Sequence, residues 1–463
     1  MKDDYDFLVI GGGSAGYNAA LAAVAAGART AVVDGAKDLG GLCILRGCMP
    51  SKTLLYSAEM LHQAQHGRVF GLKIPKATAN ARAIHARKNR IIGDFASHRV
   101  KQLKAGGFDL LRAYAEFVDP HTVRLSDGRV VRAKNFLIAT GSRVSVPDVA
   151  GLPECRYWTS DEVLELDFVP RSVLVMGGGI VACELAQYLN RIGSRVTLIQ
   201  RSQQLLKDHS ERAAAVVRKA FEDEGIEVFT GTMIERIKQD KKGTRIQFRH
   251  GRRVIQRQAD HLFNALGREP DVGRLNMMAA GVVPGPKGRI LVDRWQRSRA
   301  RHIYAAGDCC GPHEIVHVAI QQGVLAAKHA CGVKGLKPVD ESLLLSVVFT
   351  DPQLATIGPR PRDLETRGVK HLSASYPFND HGKSILMEAN YGFVEVTAEP
   401  KRGRILGAEI VGKDAGELIH CFSGPLAMHA TVFDLLRAPW YHPTLAEIIT
   451  YPLEELEQRI ASK

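Results

Sequence analysis

Two stretches of the chain share one grammar of apolar and polar positions. Residues 6 to 34 run from an apolar strand, DFLVI, through the turn GGGSAG and an alanine-rich helical stretch, YNAALAAVAAGA, to a second apolar run, RTAVVD. Residues 172 to 201 repeat it as SVLVM, GGGIVA, CELAQYLNRIG and SRVTLIQR. Each reads as a βαβ unit. From Leu343 the pattern changes: SVVFTD, YGFVEVTAE and ILGAEIVG alternate as antiparallel strands do, and helical patterns follow around Glu417 to Leu436 and after Pro443. The stretch Pro147 to Pro170, with Gly151, Pro153 and a run of acids, reads as a connection, which puts a boundary near residue 148. No short-period repeat or low-complexity segment interrupts this order. The expected fold is α/β, with two βαβ-based domains and a C-terminal α+β domain.

Composition narrows the class. At 463 residues the chain is too long for one ordinary core, and its 45% apolar and 24% charged content is that of a soluble globular protein. The opening MKDDYDFLVIGGG carries acids before a short apolar run and is no secretory signal, so a cytoplasmic location is expected. No stretch approaches the roughly 18 apolar residues of a membrane-spanning helix, and no membrane partner is expected. Eight irregularly spaced cysteines suit a reducing compartment, where a close pair such as Cys43 and Cys48 is catalytic or metal-binding sooner than a static staple. The net charge of +13 raises the question of nucleic acid. The basic residues are scattered, and their two denser stretches, Arg82 to Lys104 and Lys241 to Arg257, lie in no nucleic-acid module. They read as solvated faces, so no nucleic-acid partner is expected. A basic surface suits anionic cofactors or an acidic partner protein.

The glycine turns carry the first candidate chemistry. In Gly11-Gly12-Gly13-Ser14-Ala15-Gly16 the glycines permit a tight turn, close approach of backbone to a pyrophosphate and close packing of helix on strand, while the N–H groups of the helix start face the anion. Asp34 ends the second strand, where a carboxylate takes ribose hydroxyls. Such placement between strand and helix marks a Rossmann-like dinucleotide-binding domain. The second turn, Gly177-Gly178-Gly179-Ile180-Val181-Ala182, has Ala at the third glycine position, which the fingerprint allows. Its second strand ends in Gln200 and Arg201, with Lys207 further on. An acid there would repel a 2′-phosphate, whereas Arg and Lys bind one. NADP is therefore favoured, with NAD as the alternative.

Cys43 and Cys48 stand five residues apart in GGLCILRGCMPSK, before a helix that Pro50 can open at its first position. On a regular helix such side chains diverge by about 140°, and a disulfide needs Cα atoms within about 7 Å. Gly47 can supply the distortion. The small strained ring would be readily reduced, and the nearby helix dipole favours a Cys48 thiolate. A zinc knuckle would need a second pair, which the adjacent Cys309-Cys310 is poorly spaced to give; two unrelated thiols are the other reading. Cys309-Cys310 as a second redox pair would carry the strain of a vicinal disulfide.

The phrase GGLCILRGCMPSKTLL after a GGGSAG turn resembles the active-site signature of the FAD-dependent pyridine nucleotide–disulfide oxidoreductases, the family of glutathione reductase and dihydrolipoamide dehydrogenase. Ala139-Thr140-Gly141, the second turn with Glu184, Ala306-Gly307-Asp308 and His442-Pro443-Thr444-Leu445-Ala446-Glu447 continue the likeness in family order over essentially the whole chain. The resemblance implies FAD on Gly11, Gly13, Gly16, Asp34 and Asp308, with Asp308 on the ribityl chain. It implies Lys52 against the flavin and paired with Glu184, Cys48 as the charge-transfer thiolate facing the flavin, and Cys43 as the interchange thiol. Further cofactor positions fall on Ser14, Ala15, Gly41, Thr140, Gly141, Gly177, Gly179, Ile180, Arg201, Lys207, Gly267 and His317. The implied domains are an FAD-binding domain in two parts, 1–148 and 268–338, a nicotinamide domain, 149–267, and a dimerisation domain, 339–463. No resident metal is implied.

The His–Glu element has its own logic. His442 precedes Pro443, which keeps it out of a helix and opens the next one. Glu447 can take the proton of one ring nitrogen and leave the other as a base for thiol–disulfide exchange. In the family this pair reaches into the partner subunit, which implies a homodimer. Gln200, where dihydrolipoamide dehydrogenases carry an acid, argues against an NADH-linked role, while Ile180 and His317 resemble that branch more than glutathione reductases. Mercuric reductases share SVVFTDPQLATIG but carry a C-terminal vicinal cysteine pair, and no cysteine follows Cys421 here. The expected substrate is a small or carrier-bound disulfide of the lipoamide kind, with glutathione-type or mercuric-type reduction, or docking into a multienzyme assembly, as alternatives.

Overall fold

The computed structural model describes residues 4–462. Two compact units divide the chain, and each is assembled from three separate segments. The first comprises Met1–Leu54, Arg82–Pro147 and Gly267–Val339; the second comprises Leu55–Ala81, Asp148–Leu266 and Asp340–Lys463.

The first unit is built on a sheet whose central strand, Tyr5–Ile10, pairs in parallel with Thr30–Val33 on one side and Val130–Ile138 on the other. Asp109–Leu111 extends the sheet beyond Thr30–Val33, and Ile303–Ala305 pairs with the end of Val130–Ile138. Alternate residues of the central strands feed two cores: Phe7, Val9, Val32 and Leu137 on one face, Leu8, Ile10, Val33 and Ile138 on the other. Burial on both faces explains why these strands read as unbroken apolar runs. The helix Ser14–Ala25 buries Ala15, Gly16, Ala19, Ala20 and Ala23, small side chains that let a second helix, Val316–Ala330, come close. At Gly323 a Cβ would stand 2.5 Å from the Ala15 carbonyl oxygen, so this crossing admits only glycine.

The second unit holds a four-stranded parallel sheet in the order Glu227–Phe229, Arg195–Ile199, Ser172–Met176, His261–Asn264. A three-stranded antiparallel sheet, Thr232–Asp240, Gly243–His250 and Arg253–Ala259, follows the βαβ unit. The C-terminal segment forms a five-stranded antiparallel sheet, Leu345–Val348, Gln353–Ile357, Ile405–Gly412, Phe393–Ala398 and Leu372–Pro377, with the helix Thr450–Ala461 packed on it through Leu453 and Leu456. A buried ion-pair cluster joins the helix of the βαβ unit to this segment: Arg191 reaches Glu224 at 2.6 Å and Asp351 at 2.8 Å.

Three local expectations change. The stretch Pro147 to Pro170 is more than a connection: Thr159 and Glu162 form a capping box that starts a short helix, Ser160–Leu164. The basic stretch Arg82 to Lys104 lies in the helix Ala81–Ala105, where Lys88 is only 1% exposed and Arg99 is half-buried, so this face is only partly solvated. After Pro443 no helix opens at once; a 3-10 turn begins at Ala446 and the α-helix at Thr450. No helix among the described residues is long and apolar enough to cross a membrane.

Candidate active site

In the first unit the strand Tyr5–Ile10 runs into Gly11, whose φ of +107° and close neighbour both demand glycine: a Cβ there would lie 2.4 Å from the Ala139 carbonyl oxygen. At Gly16 a Cβ would come within 1.9 Å of the Gly11 oxygen, and at Gly41 within 2.6 Å of the Gly13 Cα. Ser14 and Ala15 form the first turn of the helix, and Gly13 at its N-cap offers no side-chain cap, so the N–H groups there remain available to an anion. The Asp34 carboxylate accepts the N–H of Gly12 and of Ala36, both at 2.9 Å. Thr140 Oγ1 is buried with no hydrogen-bond partner, and Gly141 at φ +71° opens onto free space. Ser142 Oγ donates to Asp308 at 2.6 Å and accepts from Arg268 Nε at 2.8 Å. A narrow glycine-lined slot, an orphaned hydroxyl and free helix N–H groups fit the pyrophosphate and polyol of a dinucleotide such as FAD. Gly267 and His317 belong to the same unit: Gly267 lies exposed at φ +115°, its oxygen taken by the Ser145 N–H, and His317 is exposed in the first turn of Val316–Ala330.

The cysteines straddle a helix break. Cys43 lies in the short helix Gly41–Leu45, and Cys48 is the first residue of the helix Cys48–His66. Pro50 is thus third in its helix, still among the positions whose N–H has no helical partner. Gly47 supplies the bend by close approach, since a Cβ there would meet the Leu42 oxygen at 2.9 Å and the Cys43 Cα at 3.2 Å. The two sulfurs are present as thiols in mutual contact. The hydrogen bond with Cys48, then burial, hold the Cys43 thiol far above its ordinary range, while the Cys48 N–H and the Lys52 cation work in the opposite sense. Arg99, which no motif singles out, stacks 4.4 Å from the Tyr17 ring centre, and its charge also feels Cys43. Cys309 and Cys310 are buried in the core as thiols, bonded to the backbone oxygens of Ala306 and Gly307.

The second unit repeats the turn. Gly177, at φ +120°, has its Cβ position 2.4 Å from the Ala265 oxygen, and Gly179 faces open space at the uncapped start of the helix Ile180–Arg191. Ile180 is 39% exposed there. Gln200 is buried against Gly178, and Arg201 and Lys207 lie exposed past the strand Arg195–Ile199. Glu184 is buried and accepts the Phe349 N–H at 2.9 Å.

In the C-terminal segment His442 Nδ1 stands 2.8 Å from Glu447 Oε1, with the imidazole exposed and the carboxylate nearly buried. Burial alone would raise the Glu447 pKa, but the His442 bond and the Thr444 N–H keep it below the usual carboxylate range. A second ring, His381, lies near the same carboxylate oxygen, its Nε2 3.8 Å from Glu447 Oε1. It belongs to no motif and only the fold brings it there.

Residues 5–323 match the family model of the pyridine nucleotide–disulphide oxidoreductases, and residues 344–452 match the dimerisation domain of the same family. The chain belongs to this family. Its members are FAD-dependent enzymes that work with a pyridine nucleotide. Among relatives of this family, a mercuric reductase of Bacillus cereus is 33% identical over 96% of this chain and 70% of its own length. A dihydrolipoyl dehydrogenase of Thermus scotoductus is 32% identical over 98% of both chains. The crystal structure of LpdA from Mycobacterium tuberculosis superposes with a TM-score of 0.87 at 26% identity, covering 97% of this chain and 99% of its own.

Proposed function

We propose that this protein moves electron pairs between NADP(H) and a small or carrier-bound disulfide through FAD, Cys43 and Cys48, as a dihydrolipoyl-dehydrogenase-like homodimer of the cytoplasm. The observation that carries the reading is the contact of the two thiols across the break at Gly47, with Lys52 one turn further along the helix. Residues 1–148 and 268–338 would hold FAD, 149–267 the nicotinamide nucleotide, and 339–463 the dimer contact. Gly11, Gly13, Gly16, Asp34, Gly41, Thr140, Gly141 and Asp308 form the FAD slot. Arg201 and Lys207 receive the 2′-phosphate, because a cation satisfies that dianion where Gln200 presents no competing charge.

Bound FAD supplies the relay of an electron pair from the nicotinamide to the Cys43–Cys48 disulfide. The remaining steps belong to the side chains. The bond with Cys48 and burial raise the Cys43 pKa, so forming its thiolate calls for a base, and His442 of the partner subunit is that base. The Cys43 thiolate attacks the substrate disulfide to form a mixed disulfide, and the departing sulfur takes the proton back from the imidazolium. Cys48 then attacks Cys43, closing the protein disulfide and releasing the second substrate thiol. Glu447 holds the imidazole's orientation and stabilises its charged form.

The test is anaerobic titration of the purified protein with NADPH and, separately, NADH, and then addition of lipoamide, glutathione disulfide or Hg(II). Cys48→Ser should retain FAD and lose disulfide turnover; full activity in that variant would overturn the redox pair. The likeness to mercuric reductase favours metal reduction as a second reading, and turnover confined to Hg(II) would replace the first by it.

A further inference from the structure

His381 is fully buried at the start of the short helix Gly382–Leu386, and its two ring nitrogens have separate surroundings. Nδ1 is 2.8 Å from the hydroxyl of Ser384, itself fully buried. Nε2 makes no hydrogen bond and lies 3.8 Å from Glu447 Oε1, the oxygen that His442 also uses. The edge of the ring meets Tyr451, whose centre is 6.0 Å away, and Tyr451 in turn stacks on Tyr376. The titratable groups facing His381 are therefore Glu447 from the 3-10 turn, His442 from the loop before it and Tyr451 from the final helix. Burial lowers the pKa of His381, Glu447 opposes that, and His442 adds to it, so the ring is uncharged at neutral pH.

An uncharged imidazole has two tautomers, and the surroundings select one. With a proton on Nδ1, the Nε2 lone pair would face a carboxylate oxygen inside a buried pocket. With the proton on Nε2, the Ser384 hydroxyl donates to Nδ1 and the N–H lies 3.8 Å from Glu447 Oε1, a favourable electrostatic contact too long for a hydrogen bond. We propose that His381, held as the Nε2–H tautomer, is a positioning residue that fixes the Glu447 carboxylate for His442. The arrangement runs Ser384, His381, Glu447, His442, from a buried anchor to an exposed base. It rests on the reading of His442 and Glu447 as the acid–base pair, and adds a residue outside the HPTLAE motif.

The test compares pH profiles of disulfide turnover in the FAD-loaded dimer. Neutralising the carboxylate in Glu447→Gln should move the acid limb of the profile to lower pH. His381→Phe keeps the ring volume without the N–H and should move the limb in the same direction, by about half a unit, with a several-fold fall in kcat. His381→Gln, which restores an amide N–H toward Glu447, should bring the limb back. A purely structural role would lower thermal stability and yield while leaving the limb in place, and that outcome in folded His381→Phe overturns the proposal. Should His381→Phe not fold, Ser384→Ala decides: loss of the tautomer anchor should shift the limb as Glu447→Gln does, and an unmoved limb overturns the proposal. If Glu447→Gln and His442→Ala both leave turnover unchanged, the acid–base reading itself has failed.

Discussion

The two glycine turns begin alike and end differently. Gly11 and Gly177 both have positive φ, and at both a Cβ would lie 2.4 Å from a carbonyl oxygen on a neighbouring strand end. The third small position separates them. A Cβ at Gly16 would overlap the Gly11 oxygen at 1.9 Å, whereas the second turn accommodates Ala182, fully buried. The strand ends separate them further: Asp34 turns its carboxylate back onto the Gly12 N–H, while Gln200 packs on Gly178 and is followed by exposed Arg201. On the proposed reading, a shared backbone device makes room for a pyrophosphate in both units, and the side chain just past the second strand would set what kind of ribose each accepts.

The sharpest way to break the comparison is Gly16→Ala. The added carbon has no room, so the protein should lose its flavin, read as a colourless product without the visible absorbance that a bound flavin gives. Next comes Arg201→Glu, which places an acid where the second turn lacks one. The ratio of kcat/KM for NADPH over NADH should fall by about 100-fold, the size of one lost charge-assisted contact plus a repulsion, with flavin content unchanged. The smallest effect belongs to Ala182→Gly. It gives the second turn the first turn's glycine spacing, should cost about 1 kcal/mol of helix stability seen as a lower Tm, and should leave the nucleotide ratio where it was.

What can be read in advance is whatever is written in local sequence. The two βαβ units announce themselves because a sheet covered on both faces needs unbroken apolar strands, and the turns because positive φ needs glycine. The antiparallel C-terminal sheet shows in its alternation. What stays hidden depends on distant contacts or on competing local signals. Pro50 points to a helix start two residues too late, because proline is compatible with several first-turn positions. Lys88 and Arg99 read as solvent-facing charge in a basic helix, since no local pattern says which turn of a helix another element will cover. His381 is far from Glu447 along the chain and sits in no motif, so only the packing of the final helix against the sheet reveals it.

The interleaving of the two units bears on how the chain is made. The alanine-rich helix after the first glycine turn is covered by Val316–Ala330, and the central sheet receives Ile303–Ala305. During synthesis from the N-terminus, the helix after the first glycine turn therefore stays without its packing partner until residue 330 has left the ribosome. A nascent chain stopped at residue 266 contains every glycine of both turns and both thiols, yet it lacks the helix that packs on the one after the first turn. If this slot holds the flavin as proposed, flavin capture would be a late event, timed by the last segment of the first unit rather than by its first glycine turn.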